Sequence, residues 1–164
     1  MALAMNEPLY LTIARKDLGL KEMPGAMNEP RILDAFAAIG HSWLNNDEQP
    51  WCAAMLGHWL IKAKLPFPKN AFRALSWLTY GAGYVHPMYG AIAVMTRQGG
   101  GHVGIVTGVT KDKKYVRVLG GNQQNMVCES FFPATRISSY RAPIGVSLVE
   151  PPVCELGELS KTEK

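Results

Sequence analysis

The first third of the chain carries apolar residues at intervals of three and four, the spacing that places side chains on one helix face. Residues 9–18 place Leu9 and Ile13 on one side and are followed by Gly19, so they predict a first helix. A second helix is predicted over residues 28–40, because Asn, Glu and Pro mark its start and a glycine marks its end. Its inward side consists of Ile32, Ala35, Phe36 and Ile39.

A third helix, predicted over residues 50–63, also carries its apolar residues on one stripe. That stripe consists of Cys52, Met55, Leu56, Trp59 and Ala63. Cys52 therefore points inward, toward other secondary structure. A short fourth helix is predicted over residues 70–79, ahead of a glycine-rich loop.

After residue 90 the apolar pattern changes to a period of two, which is typical of strands. Strands are predicted over residues 91–95, 102–109 and 114–119, with shorter edge strands at 127–131 and 139–141. Because the links between the first three are short, antiparallel pairing is expected. The pattern predicts an α+β fold with N-terminal helices followed by an antiparallel sheet of about five strands.

The composition is that of one globular domain, because 48% of the 164 residues are hydrophobic and 18% are charged. We predict a single domain over residues 1–149 and a polar, flexible tail over residues 150–164. Residues 74–96 contain no charged side chain. Glycines and a proline interrupt them, so they predict helix, loop and strand rather than a membrane span.

The net charge of +4 is spread along the chain, with residues 111–114 (Lys-Asp-Lys-Lys) as its only cluster. A solvated turn between two strands explains this cluster, so nucleic acid is not an expected partner. Residues 1–8 lack the basic region and apolar run of a signal peptide. We therefore expect synthesis in a reducing compartment such as the cytoplasm, and no stable membrane insertion.

The three cysteines, Cys52, Cys128 and Cys154, are too few and too widely spaced for a disulfide framework or a metal clip. The sequence accordingly predicts no metal and no cofactor. Cys52 lies in the first turn of the third predicted helix. Unpaired backbone N–H groups and the positive end of the helix dipole favour a thiolate there, so Cys52 is the candidate nucleophile.

Four histidines are candidates for a base that serves Cys52. His58 lies six residues further on, about 240° around the helix, so it points away from the thiol. His41 and His86 lie in predicted loops and stay open as alternatives. His102 stands at the start of a strand, directly after three glycines, which is a suitable scaffold for a general base. His102 is therefore the candidate base, against the alternative of a histidine with a purely structural role.

A third polar residue should orient the imidazole, and it should come from the neighbouring strand. The strand over residues 114–119 runs into Gly120-Gly121-Asn122, and an antiparallel neighbour can bring this segment alongside His102. Asn122 is the candidate, because an amide can accept from the ring N–H, as in Cys-His-Asn arrangements. A simple turn explains the Gly-Gly-Asn run equally well.

Three motifs together resemble the NlpC/P60 and CHAP cysteine peptidase superfamily of cell-wall hydrolases. They are Pro-Trp-Cys-Ala-Ala-Met at 50–55, Gly-His-Val-Gly-Ile-Val at 101–106 and Leu-Gly-Gly-Asn-Gln at 119–123. Glu22-Met-Pro-Gly, Asn28-Glu-Pro-Arg-Ile and Asp47-Glu48 resemble a small phage and prophage branch, so the resemblance covers residues 10–142. Met55 departs from the pattern, since an aromatic residue is common there.

The resemblance implies a papain-like core that cleaves amide bonds in peptidoglycan through a thioester acyl-enzyme. Cys52 matches the nucleophile, His102 the base, and Asn122 the third polar position, which varies within the superfamily. The implied activity is that of a stem-peptide endopeptidase or an N-acetylmuramoyl-L-alanine amidase. The implied biological role is that of a phage endolysin, made in the bacterial cytoplasm and acting on the cell wall only after release or delivery.

Residues around these positions are candidates for substrate contact. Trp51, Trp77 and Tyr80 would line a groove, and core packing is the alternative role for the two tryptophans. The polar candidates are Asp47, Glu48, Gln49 and Gln123. Asp47 is equally suited to cap the helix. The backbone N–H of Cys52 is expected to hold the oxyanion, with Gln49 as one possible second donor.

Peptidoglycan is the expected partner of a monomeric protein, with a holin-type or immunity protein as a further expected partner. Three alternatives stay open: an antibacterial amidase effector, a cysteine acyltransferase on the same scaffold, and a binding module without catalysis. In the last of these, Cys52 and His102 would only pack or hold a metal, and a metal is disfavoured because no Cys/His pair has the spacing of metal ligands.

Overall fold

The computed structural model describes residues 6–23, 28–41, 51–97 and 99–160. Within these ranges three α-helices precede the sheet: α1 (Leu9–Arg15), α2 (Pro30–Ala38) and α3 (Cys52–Lys62). The strands are β1 (Ala82–Tyr84), β2 (Ile92–Arg97), β3 (Gly100–Val109), β4 (Tyr115–Gln123), β5 (Met126–Pro133) and β6 (Ile137–Ala142). Short 3₁₀ helices lie at Ala74–Trp77 and Ala134–Arg136.

Helices α1 to α3 lie where the periodicity predicts them. At the start of α2, Pro30 occupies the first turn and the Glu29 carboxylate accepts a hydrogen bond from the Arg31 N–H at 3.2 Å. The capping side chain is thus that of Glu29, one of the three residues that mark this helix start in the sequence. The helix predicted over residues 70–79 is reduced to the 3₁₀ turn Ala74–Trp77.

The described strands form one six-stranded antiparallel sheet in the order β1-β6-β2-β3-β4-β5. The predicted α+β class and antiparallel pairing are confirmed, with six strands in place of about five. The prediction of an edge strand at 139–141 is wrong. Strand β6 pairs with β2 on one side and with β1 on the other, because the glycine-rich segment after residue 80 supplies an additional outer strand.

The two faces of the sheet are buried in different ways. On one face, residues such as Val103, Ile105 and Leu119 pack against the three helices. On the other, Val106, Val116, Val118 and Phe132 form a second core with Tyr140 and Leu148. Helix α3 is the central helix, since every residue from Cys52 to Gly57 is buried, together with Trp59 and Leu60. Its first residue therefore lies against the sheet, which positions Cys52.

The C-terminal segment runs back along the sheet. Val153 forms a parallel bridge with Val109, and Leu159 forms one with Phe131. Four backbone hydrogen bonds of 2.8–3.0 Å join these residues and their neighbours to β3 and β5. The polar composition of residues 150–164 predicts a flexible tail, but this segment contacts the sheet as far as Ser160.

A buried indole joins the turn that follows the first helix to the central helix. Trp59 Nε1 donates to Asp17 Oδ2 at 2.8 Å, and Asp17 also forms an ion pair with Arg31 of α2 at 3.4 Å. These contacts join all three helices into the layer that holds Cys52. None of the helices in the described part of the chain combines the length and apolar character needed to cross a bilayer.

Candidate active site

Cys52 is the first residue of α3, and only 3% of its surface is exposed. Its thiol is hydrogen-bonded by the backbone N–H of Val103, on β3, and by that of Ala53 in its own helix. The side chain of His102, the neighbour of Val103, hydrogen-bonds the same thiol. The structure thus brings together Cys52 and His102, the two residues that the sequence predicts as nucleophile and base.

Opposing effects act on the pKa of the Cys52 thiol, and their sum is a lowered value. Burial, the largest effect, raises the pKa because it disfavours a charged thiolate. The charge of the His102 imidazolium, its hydrogen bond and the two backbone N–H groups lower the pKa by more than burial raises it. The lowered pKa brings the thiolate, which is the reactive form of a catalytic cysteine, closer to neutral pH.

Gln123 is the polar partner of the imidazole. Its Oε1 lies 2.9 Å from His102 Nε2, and both side chains are fully buried. The prediction that Asn122 orients the ring differs from the structure. Among the described residues, neither amide atom of the fully buried Asn122 has a hydrogen-bond partner. We call Cys52, His102 and Gln123 the relay.

The orientation of the Gln123 amide follows from its other contacts. Its Nε2 donates to the backbone carbonyls of Cys128 at 2.8 Å and Val118 at 3.2 Å. Because a carbonyl only accepts, the nitrogen must face these two groups and the oxygen must face His102. His102 Nε2 then carries the hydrogen, and Nδ1 is the basic nitrogen of the neutral ring. The amide thus selects the tautomer that can take a proton from the thiol.

A β-bulge explains why Gln123, and not Asn122, reaches the imidazole. The register between β4 and β5 shifts between Gly120 and Gln123, and Asn122 has a φ of 58°. Strict alternation along β4 would put residue 122 on the face of residue 120. The extra residue in the bulge moves Gln123 to that face instead. Asparagine tolerates the left-handed conformation that the bulge requires.

Two glycines make room for this arrangement. A Cβ on Gly120 would lie 2.6 Å from Gln123 Oε1, so only glycine admits the amide there. A Cβ on Gly121 would lie 2.7 Å from the Trp51 ring, which packs against the strand at this point. The Gly-Gly-Asn run is therefore part of strand β4, and its two glycines allow the close approach of the Gln123 amide and the Trp51 ring.

The aromatic residues predicted to line a groove are buried. Trp51 and Trp77 have no exposed surface, and Tyr80 is 8% exposed. Trp51 Nε1 donates to Glu22 at 2.8 Å, and Trp77 Nε1 donates to the carbonyl of Ala71 at 3.0 Å. All three take the packing role that the sequence left open for the tryptophans.

The remaining candidates for substrate contact divide into two groups. Gln123 is fully buried at the imidazole, so the structure gives it an orienting position in place of substrate contact. Asp47, Glu48 and Gln49 lie outside the described residues.

The other histidines lie in different surroundings. His58 is half-buried on α3, with the charges of Lys62, Asp17 and Asp34 near it. His41 packs edge-on against Phe72 at a ring separation of 4.4 Å, and His86 is exposed in the loop after β1. Within the described ranges, no three His, Cys, Asp or Glu side chains converge as the ligands of a metal ion would.

A comparison with protein-family models covers the segment that holds the thiol and the imidazole. Residues 44–122 match the CHAP domain family. The match confirms the resemblance to the NlpC/P60 and CHAP superfamily, while the phage branch stays a prediction. CHAP domains are typically cysteine peptidases or amidases that act on peptidoglycan.

The CHAP match includes slightly less than half of the chain and ends one residue before Gln123. It therefore includes Asn122 but not the residue that contacts the imidazole. Comparisons with curated proteins and with solved structures gave no match. Sequence reasoning missed the orienting role of Gln123. Its signal was the run of glycine and asparagine residues just before it, which is typical of a bulge as well as of a turn.

Proposed function

We propose that the protein is a peptidoglycan hydrolase that cleaves an amide bond with Cys52 as nucleophile, His102 as general base and acid, and Gln123 as orienting residue. The observation that carries the proposal is the contact of thiol, imidazole and amide within a chain that matches the CHAP domain. A lowered thiol pKa and a fixed imidazole tautomer are the properties that such chemistry requires.

The first half of the reaction forms a thioester. The Cys52 thiolate attacks the carbonyl carbon of the scissile amide, and a tetrahedral intermediate with a negative oxygen results. The backbone N–H of Cys52 stands at the positive end of α3, where it is suited to donate to that oxygen. The C–N bond then breaks, and the leaving amine takes the proton from the His102 imidazolium.

The second half releases the acyl group. Neutral His102 accepts a proton from a water molecule, whose oxygen attacks the thioester carbonyl. The C–S bond breaks, a carboxylic acid leaves, and the thiolate–imidazolium pair is restored. The Gln123 hydrogen bond holds the same imidazole tautomer through both halves, which lets one residue act first as acid and then as base.

The scissile bond we propose is either within the stem peptide or between muramic acid and L-alanine. The biological role we propose is that of an endolysin, and the support for it is the resemblance of Glu22-Met-Pro-Gly and Asn28-Glu-Pro-Arg-Ile to the phage branch. The products distinguish the two bonds. An amidase leaves peptides that begin with L-alanine and sugars without peptide, whereas an endopeptidase leaves shortened stems on the sugar.

Digestion of purified peptidoglycan by the wild type and by Cys52→Ala tests the proposal. We expect the wild type to release soluble fragments with new amino groups, and Cys52→Ala to release none. Cys154→Ala is the matched control, because Cys154 contacts the Val109 carbonyl at 3.5 Å, away from the relay, and carries the same substitution. Mass spectrometry identifies the bond that is cut.

Equal release by Cys52→Ala and the wild type would contradict the proposal. New reducing sugar ends would also contradict it, since they indicate cleavage of a glycosidic bond. Transfer of the acyl group to an added amine, without fragments that carry a new carboxylate, would indicate an acyltransferase instead. Circular dichroism of each variant shows that any loss of activity is not a loss of fold.

A further inference from the structure

The imidazole of His102 has one contact that neither the mechanism nor the family match uses. Its ring stacks on the ring of Phe132, with centroids 5.7 Å apart and an angle of 29° between the planes. Phe132 lies on β5, is fully buried, and pairs across the sheet with Val116. The imidazole therefore lies nearly parallel to an aromatic ring of the second core, at a centroid separation typical of offset aromatic pairs.

The two edges of the imidazole are held by the other members of the relay. Gln123 contacts Nε2, and Cys52 is hydrogen-bonded to the same ring. Hydrogen bonds at the edges fix where the nitrogens lie, but each of them tolerates a tilt of the ring plane. A flat contact with a neighbouring aromatic ring restricts that tilt, since stacked rings lose contact area when one of them turns.

Phe132 also shields this side of the imidazole from solvent. It has no exposed surface, so water does not reach the ring through it. Attraction between a thiolate and an imidazolium is stronger where water is excluded. Phe132 is itself restrained, because the Arg136 guanidinium lies 5.7 Å from its centroid, within the range of a cation–π contact.

We infer that Phe132 is a positioning residue, which holds the plane of the His102 imidazole so that the thiolate–imidazolium pair forms. The inference rests on the proposed function only in so far as that pair performs catalysis. Phe132 contacts neither substrate nor reacting atoms in this assignment, and it acts through His102 alone.

The neighbouring Phe131 provides a matched control. It is 6% exposed on the same strand, but it packs against the C-terminal segment, since a Cβ on Gly157 would lie 2.9 Å from its ring. Phe131→Leu removes an equal amount of aromatic core without touching the imidazole. Phe132→Leu removes the stacked ring, and Phe132→Tyr restores it. If Phe132→Leu does not fold, Phe132→Met fills the space with a flexible side chain.

The main measurement is the rate of Cys52 alkylation by iodoacetamide between pH 5 and 9, followed by mass spectrometry of the Cys52 peptide. This readout requires no wall substrate. We expect Phe132→Leu to slow alkylation at acidic pH and to move the rise in rate to higher pH, because a weaker ion pair leaves less thiolate. Phe131→Leu should follow the wild type, and Phe132→Tyr should return toward it.

Peptidoglycan digestion supplies the second measurement. We expect kcat of Phe132→Leu to fall about 10- to 100-fold with an unchanged KM, as for a misaligned catalytic group. The inference is overturned if Phe132→Leu and Phe131→Leu share the wild-type alkylation profile. Should the wild type fail to digest wall while its alkylation still depends on Phe132, the proposed function falls and the positioning role stands.

Discussion

Replacing Gly120 with alanine should disturb the orientation of the imidazole while Cys52, His102 and Gln123 all keep their identity. The added Cβ would lie 2.6 Å from Gln123 Oε1, 3.2 Å from Gln123 Cδ and 3.2 Å from the Val103 carbonyl oxygen. The nearest atom is the end of a flexible side chain, so we expect the Gln123 amide to move while the backbone stays in place.

The distance by which Gln123 Oε1 moves decides whether its hydrogen bond to His102 survives. Ordinary contact requires the oxygen to retreat by about 0.8 Å from the new methyl group. The bond from His102 Nε2 to Oε1 is 2.9 Å long, and a retreat of that size breaks it or tilts it beyond useful geometry. Overpacking of this kind costs roughly 1–3 kcal/mol, which corresponds to a fall in Tm of roughly 2–12 °C for a chain of this size.

We expect Gly120→Ala to remain folded and to lose wall-digesting activity by about 10- to 100-fold, because the imidazole is no longer held in one tautomer and plane. Release of soluble fragments from peptidoglycan measures activity, and thermal unfolding by circular dichroism measures stability. Gly100→Ala is the matched control, since a Cβ on Gly100 meets no atom within 4 Å. Full activity in a folded Gly120→Ala variant would refute the role given to the Gln123 amide.

Three further substitutions separate structural from catalytic roles. Trp51→Phe removes the hydrogen bond to Glu22. Urea titrations should show a free energy of unfolding lower by roughly 1–3 kcal/mol, and KM should be unchanged. A raised KM with unaltered stability would indicate instead that Trp51 lines a substrate groove. Asn122→Gly removes two unpaired buried polar atoms at a positive φ. The Tm of this variant should lie within a few degrees of the wild-type Tm, and its activity should equal that of the wild type. Loss of activity would indicate that Asn122, and not Gln123, orients the imidazole. Because His102 lowers the pKa of Cys52, His102→Ala should shift the rise in Cys52 alkylation by iodoacetamide to higher pH, and an unshifted profile would contradict the ion pair.

The helices and the inner strands could be predicted because their signals are local. The second helix carries proline at its start and glycine at its end, and the period-two runs after residue 90 match β2, β3 and β4 closely. Strand order could not be predicted in the same way, because the partners of β6 are segments distant from it in the sequence. The three residues of β1 are too few to produce a pattern, so the position of β6 could not be read from the sequence.

Two of the three members of the relay could be assigned for similar reasons. Cys52 and His102 stand at the start of a helix and near the start of a strand, where a local signal indicates the backbone geometry. The third member depends on a bulge, which shifts the alternation of side chains by one residue. The sequence indicates which segment lies beside His102 but does not display the bulge, whose positive φ at Asn122 places Gln123 at the imidazole instead.

The run from Gly120 to Gln123 joins the packing of the nucleophile helix to the orientation of the base. Gly121 admits the ring of Trp51, the residue before Cys52, so the start of α3 is seated against β4 at this point. Gly120 admits the Gln123 amide, which selects the imidazole tautomer. The same few residues thus determine the position of the thiol and the protonation of its base. A shift of β4 here would displace both, and we therefore expect Gly120, Gly121 and Gln123 to tolerate larger or differently shaped side chains poorly.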